Sequence, residues 1–251
     1  MKSSTPGSAA CASAGPVGCR SCDLHEICRL TGLLAFDTGR SRQSTGALRP
    51  VRAGEPLYRA GDPAHNLYAV RQGMLKSVHV GPDGDQQIVA YYAPGEVLGL
   101  ESFSGGIYSC DVIALQPVVC CELPARLLAD QQKHVAEFGS ALIRLLSHAI
   151  APRPDFARGS IRSRVTNFLL DLGARLASRG LDGRQFALGL SRRDIADLLG
   201  MRIETASRTI QQLNREGAIR VRGSRVWLLS LAHEAGRSSH PTPATRNAGE
   251  S

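Results

Sequence analysis

From about residue 48 to residue 123 the apolar residues come in short runs, LYAV, MLKSVHV, QQIVAYYA and CDVIAL, separated by GDPAHN, GPDGDQ, APGE and SGG. Runs this short, bounded by Gly, Pro, Asp and Asn, predict β-strands joined by tight turns, an antiparallel β-roll or jelly roll over residues 31–124. The period changes at Ala125. Leu127, Leu128, Val135, Phe138, Leu142, Ile143, Leu145, Leu146 and Ile150 recur at helical spacing and predict a long helix ending near Ile150. Pro152, Pro154 and Gly159 then interrupt the region 125–160, because a proline inside a helix removes a hydrogen bond at a cost of about 3 kcal/mol. A second helix follows from Ser163 to Arg179, with Val165, Phe168, Leu169, Leu172 and Leu176 on its inner face.

Two shorter helices close the pattern. Ser191 stands at an N-cap position with Asp194 three residues on, so a helix from Arg192 to Leu199 starts with its amides satisfied, and Gly200 supplies the turn that ends it. Ile195, Leu198, Leu199, Ile203, Ile210 and Leu213 form one shared apolar face, which predicts a helix-turn-helix. The segment VRGSRVWLL alternates basic and apolar residues around Gly223-Ser224 and predicts a small hairpin wing. The fold class is therefore α+β: a β-roll, a long helix, and a winged helix-turn-helix over residues 161–230. The Ser/Ala/Gly/Pro-rich residues 1–18 and the polar tail 231–251 predict disorder.

Charge changes the picture at one end only. Residues 140–251 hold 18 Arg, no Lys and 9 acidic residues, about +9, against +8 for the whole chain. A basic domain beside a near-neutral one predicts a phosphate-binding module joined to a sensor or scaffold. On the second short helix Arg202, Glu204, Thr205, Ser207, Arg208 and Gln211 face outward, and these side chains can contact base edges and phosphates. A carboxylate accepts from cytosine N4, an arginine forks onto guanine O6 and N7, and a serine bonds base or phosphate. The alternative is a helical hairpin with a solvated charged face.

The seven cysteines add candidate chemistry. Cys19, Cys22 and Cys28 give C-x2-C-x5-C in a loop over residues 19–30, so three thiolates can converge on one centre. A [4Fe-4S] cube takes four thiolates, and zinc with His25 as fourth ligand is an equal alternative from spacing alone. No apolar run approaches the roughly 20 residues of a membrane span, and the N-terminal residues lack the hydrophobic stretch of a signal peptide. A cytosolic protein with reduced thiols is the expectation. Motifs of phosphate-binding loops, nucleophile elbows and zinc proteases do not occur, so an enzyme is not expected. An iron-sulfur electron carrier would account for the cysteines but has no need of a helix-turn-helix.

The stretch RRDIADLLGMRIETASRTIQQL resembles the DNA-binding domain of the CRP/FNR regulators, and its I-E-T-A-S-R is similar to the E-x-x-S-R recognition helix of the oxygen-sensing FNR branch. The resemblance implies Glu204, Ser207 and Arg208 as readers of a TTGAT-N4-ATCAA-type palindrome. It departs at Ala206, where the family usually has a branched apolar residue. It also implies a [4Fe-4S] cluster on Cys19, Cys22 and Cys28 with a fourth ligand before a C-[EV]-[IL]-P sequence. This chain has VVCCELP, and counting from the Gly95–Gly99 turn puts the family cysteine at Cys121. Cys120, one residue away on a strand, would point to the opposite face. Cys110 and Cys120 then read as small buried residues, and Cys11 as a bystander. The glycines at 61, 73, 84, 95 and 99 resemble the cyclic-nucleotide-binding fold. Cyclic-nucleotide-binding members carry Arg-Ser or Arg-Thr where this chain has Tyr108-Ser109, so a nucleotide- or haem-dependent regulator ranks second, beside a zinc or thiol redox regulator. The implied partners are double-stranded DNA, RNA polymerase and a second copy of the chain, paired through the long helix.

Overall fold

The computed structural model describes residues 17–31, 47–103, 105–129, 135–150, 156 and 159–230. The expected tail 231–251, most of the lead-in and the prolines at 152 and 154 lie outside the described residues. The end of the lead-in differs from expectation. Val17 is buried, and its backbone N–H donates to the carbonyl of Arg71 at 2.9 Å. One buried apolar residue with a backbone carbonyl to bond is enough to fix this stretch, whatever the composition before it.

The chain begins with a single 3-10 turn, Cys19–Ser21, and helix α1, His25–Leu30. Eight strands follow: β1 Ala47–Val51, β2 Pro56–Tyr58, β3 Asn66–Gln72, β4 Leu75–Val80, β5 Gln86–Tyr92, β6 Val97–Leu98, β7 Asp111–Ala114 and β8 Val118–Pro124. They form two four-stranded antiparallel sheets, β1-β8-β3-β6 and β2-β7-β4-β5. This is the expected roll. Its interior is filled by Val51, Leu57, Leu75, Leu98, Val112 and Cys120, and by a stack of tyrosines in which the Tyr58 and Tyr108 rings lie 3.8 Å apart. Tyr58 donates to Glu101, and Tyr108 donates to the carbonyl of Asn66. The position where nucleotide binders carry an arginine thus holds a ring packed into the core.

Helices α2, Arg126–Ala129, and α3, Val135–Ile150, occupy the region expected to form one helix, and residues 130–134 lie outside the described ones. The apolar positions of α3 do not make one stripe. Phe138, Ala141 and Leu145 are buried against the outer face of the roll, whereas Ile143, Leu146 and Ile150 are 66%, 40% and 79% exposed. The helix therefore has two apolar faces, one packed and one open.

Helix α4, Ile161–Ala177, begins at Ser160, whose hydroxyl accepts from the Ser163 N–H. Strand β9, Gln185–Ala187, joins β11, Arg225–Leu228, which pairs in turn with β10, Ile219–Arg222. Between β9 and β10 lie α5, Arg192–Leu198, and α6, Ile203–Arg215. The Ser191–Asp194 capping box forms as the sequence predicts, and Gly200 has φ +57 at the turn. The wing turns at Gly223 with φ +59. Strand β9 has no distinct signal in the sequence, since three residues show no period. Phe168, Leu172, Ile195, Ile210, Leu213 and Val226 close one core, which Met74, Tyr91 and Ala93 of the roll enter from outside.

Candidate metal centre and nucleic-acid interface

The cysteine loop lies against the outside of the first sheet. Leu24 and Ile27, both 1% exposed, pack with Leu67, Ala69, Leu123 and Phe138, so the apolar side of α1 anchors a loop that otherwise carries polar residues. Cys22, Cys28 and Cys121 border this cluster and are half-buried. The pairing of β3 with β8 decides which neighbouring cysteine joins them. Cys121 is opposite Ala69 on the outer face, and Cys120 is opposite Val70 and completely buried inside the roll. Alternation along one strand separates the two thiols onto opposite sides of the sheet.

Cys19, Cys22, Cys28 and Cys121 lie close enough for their charges to act on one another. Burial pushes the Cys22 thiol up to about 12, with Cys28, Cys121 and Asp23 pushing the same way. Cys28 rises to about 12 through burial, then through Cys121 and Cys19. Burial also raises Cys121, against a hydrogen bond and the charge of Arg71. Such thiols stay protonated unless a cation compensates the thiolate. The donor types fit a soft iron-sulfur group: Cys22, Cys28 and Cys121 border an apolar floor, Cys19 opens the turn before Cys22, and a guanidinium stands beside Cys121. Among the described residues no three His, Cys, Asp or Glu side chains are drawn together closely enough to hold a single ion. His25, the zinc alternative, lies 3.9 Å from Glu26 through Nε2, and its buried Nδ1 has no hydrogen-bond partner among the described residues.

The loop is tied to more than the roll. Asp23 donates its backbone N–H to the Gly95 carbonyl at 3.0 Å, and its carboxylate accepts twice from Arg179, at 3.0 and 2.8 Å. Beside this pair Arg175 grips the buried Glu96, with Nε to Oε1 at 2.7 Å and a second short contact to Oε2. Burial alone would raise the Glu96 carboxyl, but the hydrogen bonds and charge of Arg175 outweigh it and hold the group ionised. No sequence signal marks Arg71, Glu96, Arg175 or Arg179, because single charged residues look alike in a sequence until the fold gives them partners.

On α6 the expected readers face outward. Arg202, Glu204, Arg208 and Gln211 are exposed, Thr205 and Ser207 are half-exposed, and Ala206, Ile210 and Leu213 are buried beneath. Ala206 is fully covered, so the small residue leaves no exposed gap under the helix. Arg164 of α4 donates to the Gly200 carbonyl at 3.1 Å and to the Phe156 carbonyl at 2.9 Å, which braces the turn between the two short helices. Arg220 and Arg222 of the wing are exposed on the same domain. A braced helix with exposed polar side chains next to a basic hairpin is a geometry that can enter a major groove.

A β-roll with a thiol-bearing outer face, joined to a winged helix-turn-helix, defines a DNA-binding regulator. Comparisons with known proteins agree. Residues 48–133 match the cyclic nucleotide-binding domain and residues 163–233 the Crp-like helix-turn-helix domain. The chain is 30% identical over 215 residues to the transcriptional activator protein anr of Pseudomonas aeruginosa, which covers 84% of this chain and 88% of that one. It is 27% identical over 220 residues to the fumarate and nitrate reduction regulatory protein of Vibrio cholerae, covering 86% and 88%. Among solved structures, FixK2 from Bradyrhizobium japonicum aligns with a TM-score of 0.60 at 27% identity, over 79% of this chain and 100% of that one. The chain belongs to the CRP/FNR family of transcription regulators, whose members are regulators and not enzymes. No helix among the described residues is long and apolar enough to cross a membrane.

Proposed function

We propose that this regulator senses oxygen or redox state through a [4Fe-4S] cluster on Cys19, Cys22, Cys28 and Cys121, and controls anaerobic-type genes from TTGAT-N4-ATCAA-like palindromes. The observation that supports the reading is that Cys22, Cys28 and Cys121 all border one apolar cluster, with Cys19 opening the turn that leads to Cys22. Relatives named for fumarate and nitrate reduction point the same way. A bound cluster would supply an oxygen-labile link between loop and roll. This chain's residues do the rest: Leu24 and Ile27 seat the loop, Arg71 offsets charge at Cys121, and Glu204, Ser207 and Arg208 read the bases. The open face of α3, with Ile143, Leu146 and Ile150, takes the same face of a second chain, and the packed face of the same helix supports α1. A palindrome then meets two recognition helices, with RNA polymerase as the further partner, in the cytosol.

Anaerobic purification followed by iron and acid-labile sulfide assays tests this reading. Four iron and four sulfide per chain, about, are expected for a cube. Cys19→Ser, Cys22→Ser, Cys28→Ser and Cys121→Ser should each abolish them, and changes at Cys11, Cys110 or Cys120 should not. Stoichiometric zinc without sulfide would replace the cluster with a structural metal.

A further inference from the structure

Asp23 follows Cys22 directly, so its position is bound to that of the thiol. Its carboxylate accepts two bonds from Arg179, which lies just beyond the end of α4 in the DNA-binding domain. The two side chains are only 21% and 13% exposed. Arg179 also stands 3.9 Å from Glu96, which Arg175 holds, and Arg175 reaches Asp171 on α4 at 3.3 Å. Alternating charges thus run without a gap from the cysteine loop, over the roll, into the first helix of the DNA-binding domain. Gly95 makes room for the crossing. A Cβ there would lie 2.3 Å from the Arg179 Cδ and 3.0 Å from the Ser21 carbonyl oxygen, at a φ of +94 that side chains rarely adopt.

We propose that the Asp23–Arg179 pair is a coupling latch, through which the occupancy of the thiol site reaches the DNA-binding domain of the same chain directly, independently of any change in pairing between chains. The proposal rests on the cluster reading above for its input. A shift of Cys22 on cluster binding or loss drags Asp23, and a half-buried charge that loses its partner is strongly disfavoured, so Arg179 must follow or the pair must break. Either response makes the position of α4 depend on the state of the loop, which is a coupling free energy between two sites.

The full-length chain, anaerobically loaded or cluster-free, tests it as the unaltered protein, Asp23→Asn, Arg179→Gln and the double variant. Iron and sulfide content should match the unaltered protein in all four, since neither residue is a ligand. The ratio of DNA affinity between loaded and cluster-free protein, measured on a TTGAT-N4-ATCAA duplex, should fall at least about fivefold in each single variant, and no further in the double. Sedimentation should show an unchanged monomer–dimer equilibrium. In cluster-free protein, backbone amides of residues 23–30 and of the α4 end should exchange faster in either variant. Arg179→Lys keeps the charge and should retain part of the ratio, and it carries the test if Arg179→Gln does not fold. Loaded variants with an unaltered affinity ratio, or faster exchange only beside the substituted residue, would overturn the latch. An unaltered protein without iron and sulfide would instead sink the cluster reading and remove the latch's input, while the exchange result still reports whether the two elements are joined.

Discussion

Arg208 and Glu204 lie one helical turn apart on the exposed side of α6, and Ser207 lies beside them. A guanidinium forked onto guanine discriminates by about 1–3 kcal/mol, while a phosphate contact carries no sequence information. Arg208→Ala should therefore weaken binding to a TTGAT-N4-ATCAA duplex by that amount and weaken binding to unrelated DNA much less. An equal loss on both would assign Arg208 to the backbone. The same scale separates Cys120 from Cys121. They are neighbours in VVCCELP, yet strand alternation, as the sequence predicts, buries one in the roll and turns the other outward. Cys120→Ser should cost stability and leave iron content intact, whereas Cys121→Ser should do the reverse, with thermal unfolding and iron assay as the paired readouts.

Helix α4 shows how an element overrides local preference. Gly173 sits in its interior, where alanine would normally be favoured by roughly 1 kcal/mol. A Cβ at Gly173 would lie 2.5 Å from the Gly183 carbonyl oxygen, and one at Gly183 would lie 2.4 Å from the Gly173 carbonyl oxygen. Both close atoms are backbone, so neither can swing away. Gly173→Ala should lower stability by about 1–3 kcal/mol despite the better helix propensity, as read from a urea midpoint. Helix α3 makes the opposite point, since its exposed Ile143 and Ile150 contribute nothing to the core of one chain. Ile150→Glu should shift sedimenting protein toward monomer without changing the thermal midpoint of the single chain. A palindrome read by two helices should then be bound far more weakly.

Across the whole molecule the two domains meet through buried and half-buried charge. Lys76 of β4 donates to Asp194 at 2.5 Å, and Asp194 is also the capping-box residue of α5. Burial alone would raise the Asp194 carboxyl, but hydrogen bonds from Lys76 and Ser191 outweigh it and hold the group below the usual carboxylate range. A carboxyl depressed in the folded state stabilises above its unfolded value of about 3.9, and that contribution is lost as the pH falls through the folded value. Asp194→Asn should therefore cost about 1–3 kcal/mol near neutral pH, with the difference closing in acid, as seen in unfolding curves at several pH values. At the same scale, cluster-loaded protein should sediment as a dimer that holds the palindrome, and air-exposed protein should tend toward monomer and release it. The amino-acid pattern by itself determined the strands of the roll, the capping box, the turn glycines, the apolar face beneath α6 and the exposed polar face above it. Each of these depends on spacing along one element, and spacing is local. It also pointed to the three thiols of the loop, which are neighbours in the chain. Only the tertiary structure decided the partners of Asp23, Glu96, Arg175 and Arg179, the strand β9, the burial of Val17 and the division of α3 into a packed and an open face. Those depend on which surfaces meet across long stretches of sequence, 79 positions for Glu96 with Arg175 and 156 for Asp23 with Arg179, and a charged residue carries no mark of its partner until the chain has folded.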